Sequence, residues 1–405
     1  MISEVSDVPK VIRILGEDLV IFRDKSGDLG LLHKHCIHRG ASLEFGIPQE
    51  HGIMCCYHGW HFAVDGTVLS AGAEPPTSRI PSNFCQGAYP VRELGGLIFA
   101  YMGPPEHIPP FPMYHTFSHP EGNKLYPVKM HMPCNWAQVL DNAIDPIHNS
   151  YLHAIVSGQQ FSPAFNALPA MDFLETPLGL LSVQTRVVNE NVFIRSLDVI
   201  LPNVAQITSA AQTGTDESFR LSCLLTRWVV PIDDENCFYT CLFHFNDRTQ
   251  HDPVFKNASW LGVDSMNFIG QTADRPYVER QREPGDYDAI VSQGEVANYK
   301  NEHLGVTDRG VVMQRRMIAR AIEAVQNGQQ PAAPRIYETG EVPTYNFEFI
   351  SKRPSRSSLG DNGSLSEFAK RAAQIVIESG GMSPVERQAN AGAHLRRLLN
   401  EEPVR

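Results

Sequence analysis

The chain has 405 residues, 42% hydrophobic and 20% charged, with a formal net charge of −11. That length suffices for two domains with separate cores, and the acidic balance excludes nucleic acid and anionic membrane as partners. No apolar run reaches the length of a membrane span, and the first thirty residues read as a strand region rather than a signal peptide.

Residues 1–100 read as short strands and turns. Val11 to Phe22 alternates toward a hairpin, Lys25-Ser26-Gly27-Asp28 is a turn, and a strand begins at Leu31. Next come Cys36-Ile37-His38-Arg39-Gly40 and Cys55-Cys56-Tyr57-His58-Gly59-Trp60, each a thiolate donor with an imidazole close behind. Two thiolates and two imidazoles in two glycine-bearing loops are the ligands of a Rieske [2Fe–2S] cluster, whose cysteines hold one iron and histidines the other. Zinc accepts the same donors, but zinc fingers segregate them into a cysteine pair and a histidine pair. Spacing leaves both Cys55 and Cys56 open as the second thiolate. Asp65-Gly66 predicts a hairpin, Leu97 to Met102 closes the β region, and the proline-rich run from Gly103 to Pro112 places a domain boundary near residue 115.

Asn135 to His153 has a helical pattern. Four β-type runs follow, Leu180 to Val188, Val192 to Leu201, Phe219 to Pro231 and Cys237 to Phe245, and predict an antiparallel sheet. A helix over 311–327, with Val312, Met313, Met317, Ile318 and Ile322 at helical spacing, is its expected cover. Ser351 to Ser364 reads as a mobile loop or linker, and an amphipathic helix carrying Phe368, Ala372, Ile375 and Val376 comes after it. Eight scattered cysteines make no disulfide scaffold, and a reducing cytoplasm is their natural setting. Cys223, Cys237 and Cys241 read as small core residues, and Cys56 as a packed one. Arg186, Arg195 and Arg227 fall in strand-like segments with no side assigned.

Between Asp141 and His153, two histidines stand beside carboxylates, the makings of a 2-His-1-carboxylate iron site with positions open for O₂. His148 and His153 are five apart, so an ideal helix sets them about 140° apart. Sharing one iron requires a distortion, and Pro146, which removes a backbone donor, is a reason for one. The alternative is a polar helix end.

Asn135-Trp136, Gln138, Asn142, Asp145, His148 and His153, behind the two Cys/His loops, resemble the Rieske non-haem iron ring-hydroxylating oxygenases, large (α) subunit, over essentially the whole chain. The resemblance selects Cys55, so that Cys36, His38, Cys55 and His58 would hold the [2Fe–2S] cluster. His148 and His153 would bind a mononuclear Fe(II), with a late aspartate as third ligand. Asp286 fits that register, while Asp288 stays open because Val291 stands where the family has an acidic residue. Asp145 would be the catalytic bridge from the iron ligands to His58 of a neighbouring subunit, which implies a homotrimer.

The implied fold is α+β: an all-β Rieske domain over 1–115, then a catalytic domain over 116–405 with an antiparallel sheet covered by helices (helix-grip, START-like). Asn301-Glu302-His303-Leu304-Gly305 with Asp308 resembles the phthalate-dioxygenase-like branch, which lacks a β subunit, favours aromatic carboxylates and usually has a further segment ahead of Gly16. His303 reads there as a surface or cap residue. The implied activity is dihydroxylation, monooxygenation or demethylation of a small aromatic substrate, with O₂ and electrons from an NAD(P)H-dependent flavin/iron–sulfur reductase. The alternative is a Rieske electron-transfer protein without oxygenase chemistry, for which about the first hundred residues suffice.

Overall fold

Short alternating stretches fold the start of the chain into hairpins. The computed structural model describes residues 1–72, 74, 75, 77–118, 122–158, 160–256, 275–329, 340–354 and 364–400. It divides into two units, residues 1–108 with 230–234, and residues 109–229 with 235–405.

In the first unit, β1 (Lys10–Ile14), β2 (Glu17–Arg23) and β3 (Leu29–His33) form an antiparallel sheet. The strands β4 (Ile47–Pro48), β5 (Ile53–Met54), β6 (Trp60–Phe62) and β7 (Val68–Ala71) form a second. The predicted Asp65-Gly66 turn lies between β6 and β7. Gly66 has φ +87 and an added Cβ would strike Gln86 O, so only glycine fits this turn. A one-turn helix α1 (Ile80–Asn83) and the hairpin of β8 (Val91–Leu94) and β9 (Leu97–Ala100) follow. Val20, Phe22, Leu32, Leu43, Ile53 and Phe62 form a core that also encloses Cys36 and Cys55.

In the second unit, β10 (Met113–Tyr114) pairs in parallel with β19 (Glu341–Val342). The main sheet runs in the order β11 (Lys124–Met132), β18 (Cys237–Phe245), β17 (Leu225–Pro231), β15 (Val204–Ile207), β14 (Asn191–Ile200), β13 (Gly179–Val188), β12 (Ala170–Thr176). The pairs β11/β18, β15/β17, β14/β15, β13/β14 and β12/β13 are antiparallel. The sheet forks at β14: Leu197 to Ile200 pair with β15, whereas Asn191 to Arg195 pair with β20 (Glu348–Lys352), which also pairs with β16 (Ser218–Arg220). The fork divides the strand expected over 219–231, because its two ends join different branches.

Both faces of this sheet are covered. Alternate residues Leu180, Val199 and Ala205 pack with residues of α2 (Trp136–Ile144) and α6 (Arg309–Gln326), and Leu181, Val183, Val192 and Ile194 pack with the helices Leu365–Glu378 and Pro384–Asn400. Between α2 and α6 come α3 (Ile147–Ser150), α4 (Tyr277–Arg282) and α5 (Asp286–Val291). Helix α6 meets the core through Val311, with Val312 only half-buried, and Ile322 is 52% exposed, so its apolar stripe is offset from the predicted one. Ser364 caps the next helix, its Oγ accepting from Glu367 N, and Phe368, Ala372 and Val376 are buried as predicted. Enclosing Phe368 alone stabilises by about 2–3 kcal/mol. Part of the expected linker, residues 355–363, lies outside the described residues. No described helix is long and apolar enough to cross a membrane.

Candidate active site

The two glycine-bearing loops share one backbone pattern. Cys36 N donates to Ala41 O and Gly40 N to Cys36 O; correspondingly, Cys55 N donates to Trp60 O and Gly59 N to Cys55 O. Gly40 and Gly59 take φ of +76 and +71, which residues with a Cβ rarely adopt. Cys36 and Cys55 are therefore matched positions, and both are buried. Cys56 is exposed rather than packed, so Cys55 is the inward thiol. The rings of His38 and His58 meet edge to face at 4.6 Å, and His38 stacks on Trp60 at 4.7 Å. Buried Gln86 fixes the first loop, accepting from Ile37 N and donating to His33 O and His35 O. Burial pushes the Cys36 thiol up to about 11, so a bound cation is needed to hold it as thiolate. Two inward thiols and two adjacent imidazoles fit a [2Fe–2S] cluster.

In the second unit Asn135 caps α2, its Oδ1 accepting from Ala137 N at 3.0 Å. The helix ends at Asp145, which precedes a proline and is extended at φ −90, ψ 108. Helix α3 resumes for one turn and passes into a π-helix, Tyr151–Val156. Hydrogen bonds from i to i+5 bring residues five apart toward one side, so the required distortion comes from the π-turn, whereas the break at Pro146 lies ahead of both histidines and sets where their segment begins. The rings of His148 and His153 lie 5.5 Å apart.

Asp286, the first residue of α5, meets both histidines. Its Oδ1 is 3.2 Å from His153 Nε2 and 3.6 Å from His148 Nε2, and one donor atom from each of the three lies within 4.8 Å of the others. Asn142 Nδ2 donates to Asp286 Oδ1 at 3.1 Å and stands 3.3 Å from His148 Nε2. Burial acts to raise the Asp286 carboxyl, but the charge and hydrogen bond of His153, with His148 and Asn142, hold it far below the usual range. An ionised carboxylate and two imidazoles fit Fe(II) with open positions. Asp288 turns elsewhere: it binds Arg280 Nε at 2.6 Å and Arg275 Nη2 at 3.2 Å, and accepts from Gly285 N. His303 is exposed.

Residues 1–83 match the Rieske [2Fe-2S] domain family, and residues 100–165 match the family described as LigXa C-terminal domain like. The chain is 40% identical to the tert-butanol monooxygenase / tert-amyl alcohol desaturase oxygenase subunit of Aquincola tertiaricarbonis, over 98% of this chain and 87% of that protein. The chain belongs to the Rieske oxygenases, among their oxygenase subunits. The phenoxybenzoate dioxygenase subunit alpha of Ectopseudomonas oleovorans is 34% identical to this oxygenase subunit, over 83% of this chain and 82% of its own. In fold, the oxygenase subunit is similar to the crystal structure of dicamba monooxygenase bound to dicamba, with TM-score 0.57 at 19% identity, covering 81% of this chain and 96% of that one. Membership sets aside the reading as an electron carrier without oxygenase chemistry.

Around the histidine pair of this Rieske oxygenase subunit, further side chains fix the geometry. Gln160 Oε1 accepts from His153 Nδ1 at 2.8 Å, which leaves Nε2 as the metal-facing nitrogen. Asp145 accepts from Ile147 N at 2.9 Å, and its Oδ2 is 3.5 Å from His148 Nδ1. Burial acts to raise the Asp145 carboxyl, but His148 outweighs it and lowers the value. Gln138, 2% exposed, donates to Gly294 O and accepts from Ala297 N, tying α2 to the segment after α5. Gln86 and Gln160 escape sequence reasoning because glutamines that orient a loop or a ring follow no periodicity.

Proposed function

We propose that Cys36, His38, Cys55 and His58 bind the [2Fe–2S] cluster and that His148, His153 and Asp286 bind a mononuclear Fe(II), in domains spanning 1–115 and 116–405. The observation that carries this reading is the convergence of two imidazoles and one ionised carboxylate in a chain that also has a Rieske domain. When bound, the cluster supplies single electrons and the mononuclear iron supplies the reduction of O₂ for insertion into an organic substrate.

The chain's own residues perform the positioning. Gln160 keeps the proton of His153 on Nδ1, and Asn142 orients the Asp286 carboxylate. Phe161 stacks on His153 with centroids 4.4 Å apart and keeps water from that ring face. Asp145 holds the His148 ring and, in a homotrimer, would reach His58 of a second copy of this chain. The substrate is a small aromatic molecule, for which the Phe161 and Phe165 pair beside His153 is a fitting wall. The phenoxybenzoate relative supports that class, and the tert-butanol relative supports small substrates generally. Dihydroxylation and monooxygenation or demethylation use the same ligands. The electron donor is a flavin/iron–sulfur reductase drawing on NADH or NADPH, and the setting is the cytoplasm.

Anaerobic iron and sulfide analysis with EPR tests this reading. Wild type is expected to hold about three irons and two sulfides per chain, and His148→Ala to lose one iron while keeping the Rieske signal. Two irons in wild type, unchanged by the substitution, would sink the second site.

A further inference from the structure

Beside the helix Pro384–Asn400, which packs on the sheet face away from α2 and α6, lies a cavity of about 150 Å³. A cavity of that volume holds a molecule the size of benzene, about six heavy atoms. Its walls come from five separated stretches of the second unit, within 115–118, 221–223, 246–248, 344–346 and 384–388, and include none of the candidate metal ligands. Asp247 and Glu386 fall in two of these stretches but stand exposed, and no carboxylate lines the cavity among the described residues.

Its charged lining is cationic. Arg387, 2% exposed, donates to His115 Nδ1 at 3.1 Å, Ser379 Oγ at 3.3 Å and Val376 O at 3.5 Å, all neutral acceptors. A guanidinium carries five N–H donors, so others remain for an occupant. Asp198 is an acid near Arg387, but its Oδ2 accepts from Tyr345 N and its Oδ1 has no hydrogen bond among the described residues. Arg248 donates through Nη1 to Leu221 O and to Gln388 Oε1, which sets it against the residue that follows Arg387. His115 is neutral, because burial and the Arg387 charge lower it to about 4. With Nδ1 accepting from Arg387, its proton is on Nε2.

Asn346, also 2% exposed, sets a second requirement. Its Nδ2 donates to Ser222 O, whereas Oδ1 is a buried acceptor with no partner among the described residues. An occupant bringing an O–H would meet it. Water could do that, but would leave the buried Arg387 charge without an anion, which is the costlier omission. Planar guanidinium donors suit the two oxygens of a carboxylate. Leu221, Pro384 and Val385 add an apolar side. The combined requirement is a short carbon chain that carries both a carboxylate and a hydroxyl.

We propose that this cavity binds a small hydroxycarboxylic acid, with its carboxylate on Arg387 and Arg248 and its hydroxyl donating to Asn346 Oδ1. The occupant ties the helix Pro384–Asn400 to four loops of the sheet, away from the candidate iron ligands.

Calorimetric titration of the full-length, iron-loaded protein with lactate, propionate and propane-1,2-diol tests it. Propionate lacks the hydroxyl and the diol lacks the charge, so lactate is expected to bind about tenfold or more tightly than either and to raise the melting temperature. Arg248→Gln should weaken lactate about tenfold. Val385, 61% exposed at the cavity edge, can be enlarged without disturbing the core, and Val385→Trp should weaken lactate by obstruction. The proposal is overturned if lactate fails to bind at millimolar concentration, if either analogue binds wild type as well as lactate does, or if lactate affinity survives both substitutions. That last result is what direct chelation of an iron by lactate would give. The wild-type comparison and Val385→Trp keep the test decisive should Arg248→Gln misfold.

Discussion

Asp286 and Asp288 stand on the same turn of α5 and do different work. The first meets His148 and His153, whereas the second is held by Arg275, Arg280 and the backbone of Gly285. Asp286→Asn is therefore expected to lose the mononuclear iron with the Rieske signal intact. Asp288→Asn should keep that iron and unfold more easily, by about 1–2 kcal/mol from a weakened cap and ion pairs. Metal analysis beside thermal denaturation separates the two, and loss of iron from Asp288→Asn alone would reverse the assignment. At this scale the sequence was most informative where the site is local. His148, His153 and Asp145 fall within nine residues of each other, and so do the members of each Cys/His loop. Choosing between Asp286 and Asp288 needed coordinates, because an offset of two residues decides which carboxylate faces the histidines and which caps the helix.

At the scale of elements, the segment from α2 to the π-helix is the feature on which the site depends. Pro146 forces Asp145 out of helical backbone, and the π-turn then brings His153 toward His148. Pro146→Ala removes the first constraint and lets α2 run on toward α3. The expected outcome is loss of at least about half the mononuclear iron with unchanged [2Fe–2S] content, read by EPR and iron analysis. Full occupancy would show that the π-turn suffices. Proline and the five-residue spacing made a distortion legible, but a π-turn has no residue signature of its own. The long strands were legible as apolar runs because both sheet faces are covered. The fork at β14 was not, since pairing between β16 and β20 joins residues some 130 apart in the chain, from Ser218 to Ile350.

For the molecule as a whole, Asp198 gives a stability test away from the metal ligands. It lies fully buried on the sheet face toward the C-terminal helices, its Oδ2 accepting from Tyr345 N, and burial pushes its carboxyl up to about 7 despite Tyr345 and Arg387. Between the unfolded value of 3.8 and about 7 the native state holds the extra proton, so this group's contribution falls as pH rises through that window. Asp198→Asn keeps an acceptor for Tyr345 N and cannot ionise. Its melting temperature relative to wild type should therefore rise from pH 5 to pH 8, and a constant difference would contradict the assignment.

The candidate iron ligands all stand on helical segments, while Gln184, Arg186 and Arg195 stand on strands. The candidate metal ligands and the buried polar row of the sheet are thereby written on separate pieces of backbone. A point change on β13 or β14 leaves the backbone that carries the triad untouched, so the two pieces can drift independently in descent from one ancestor.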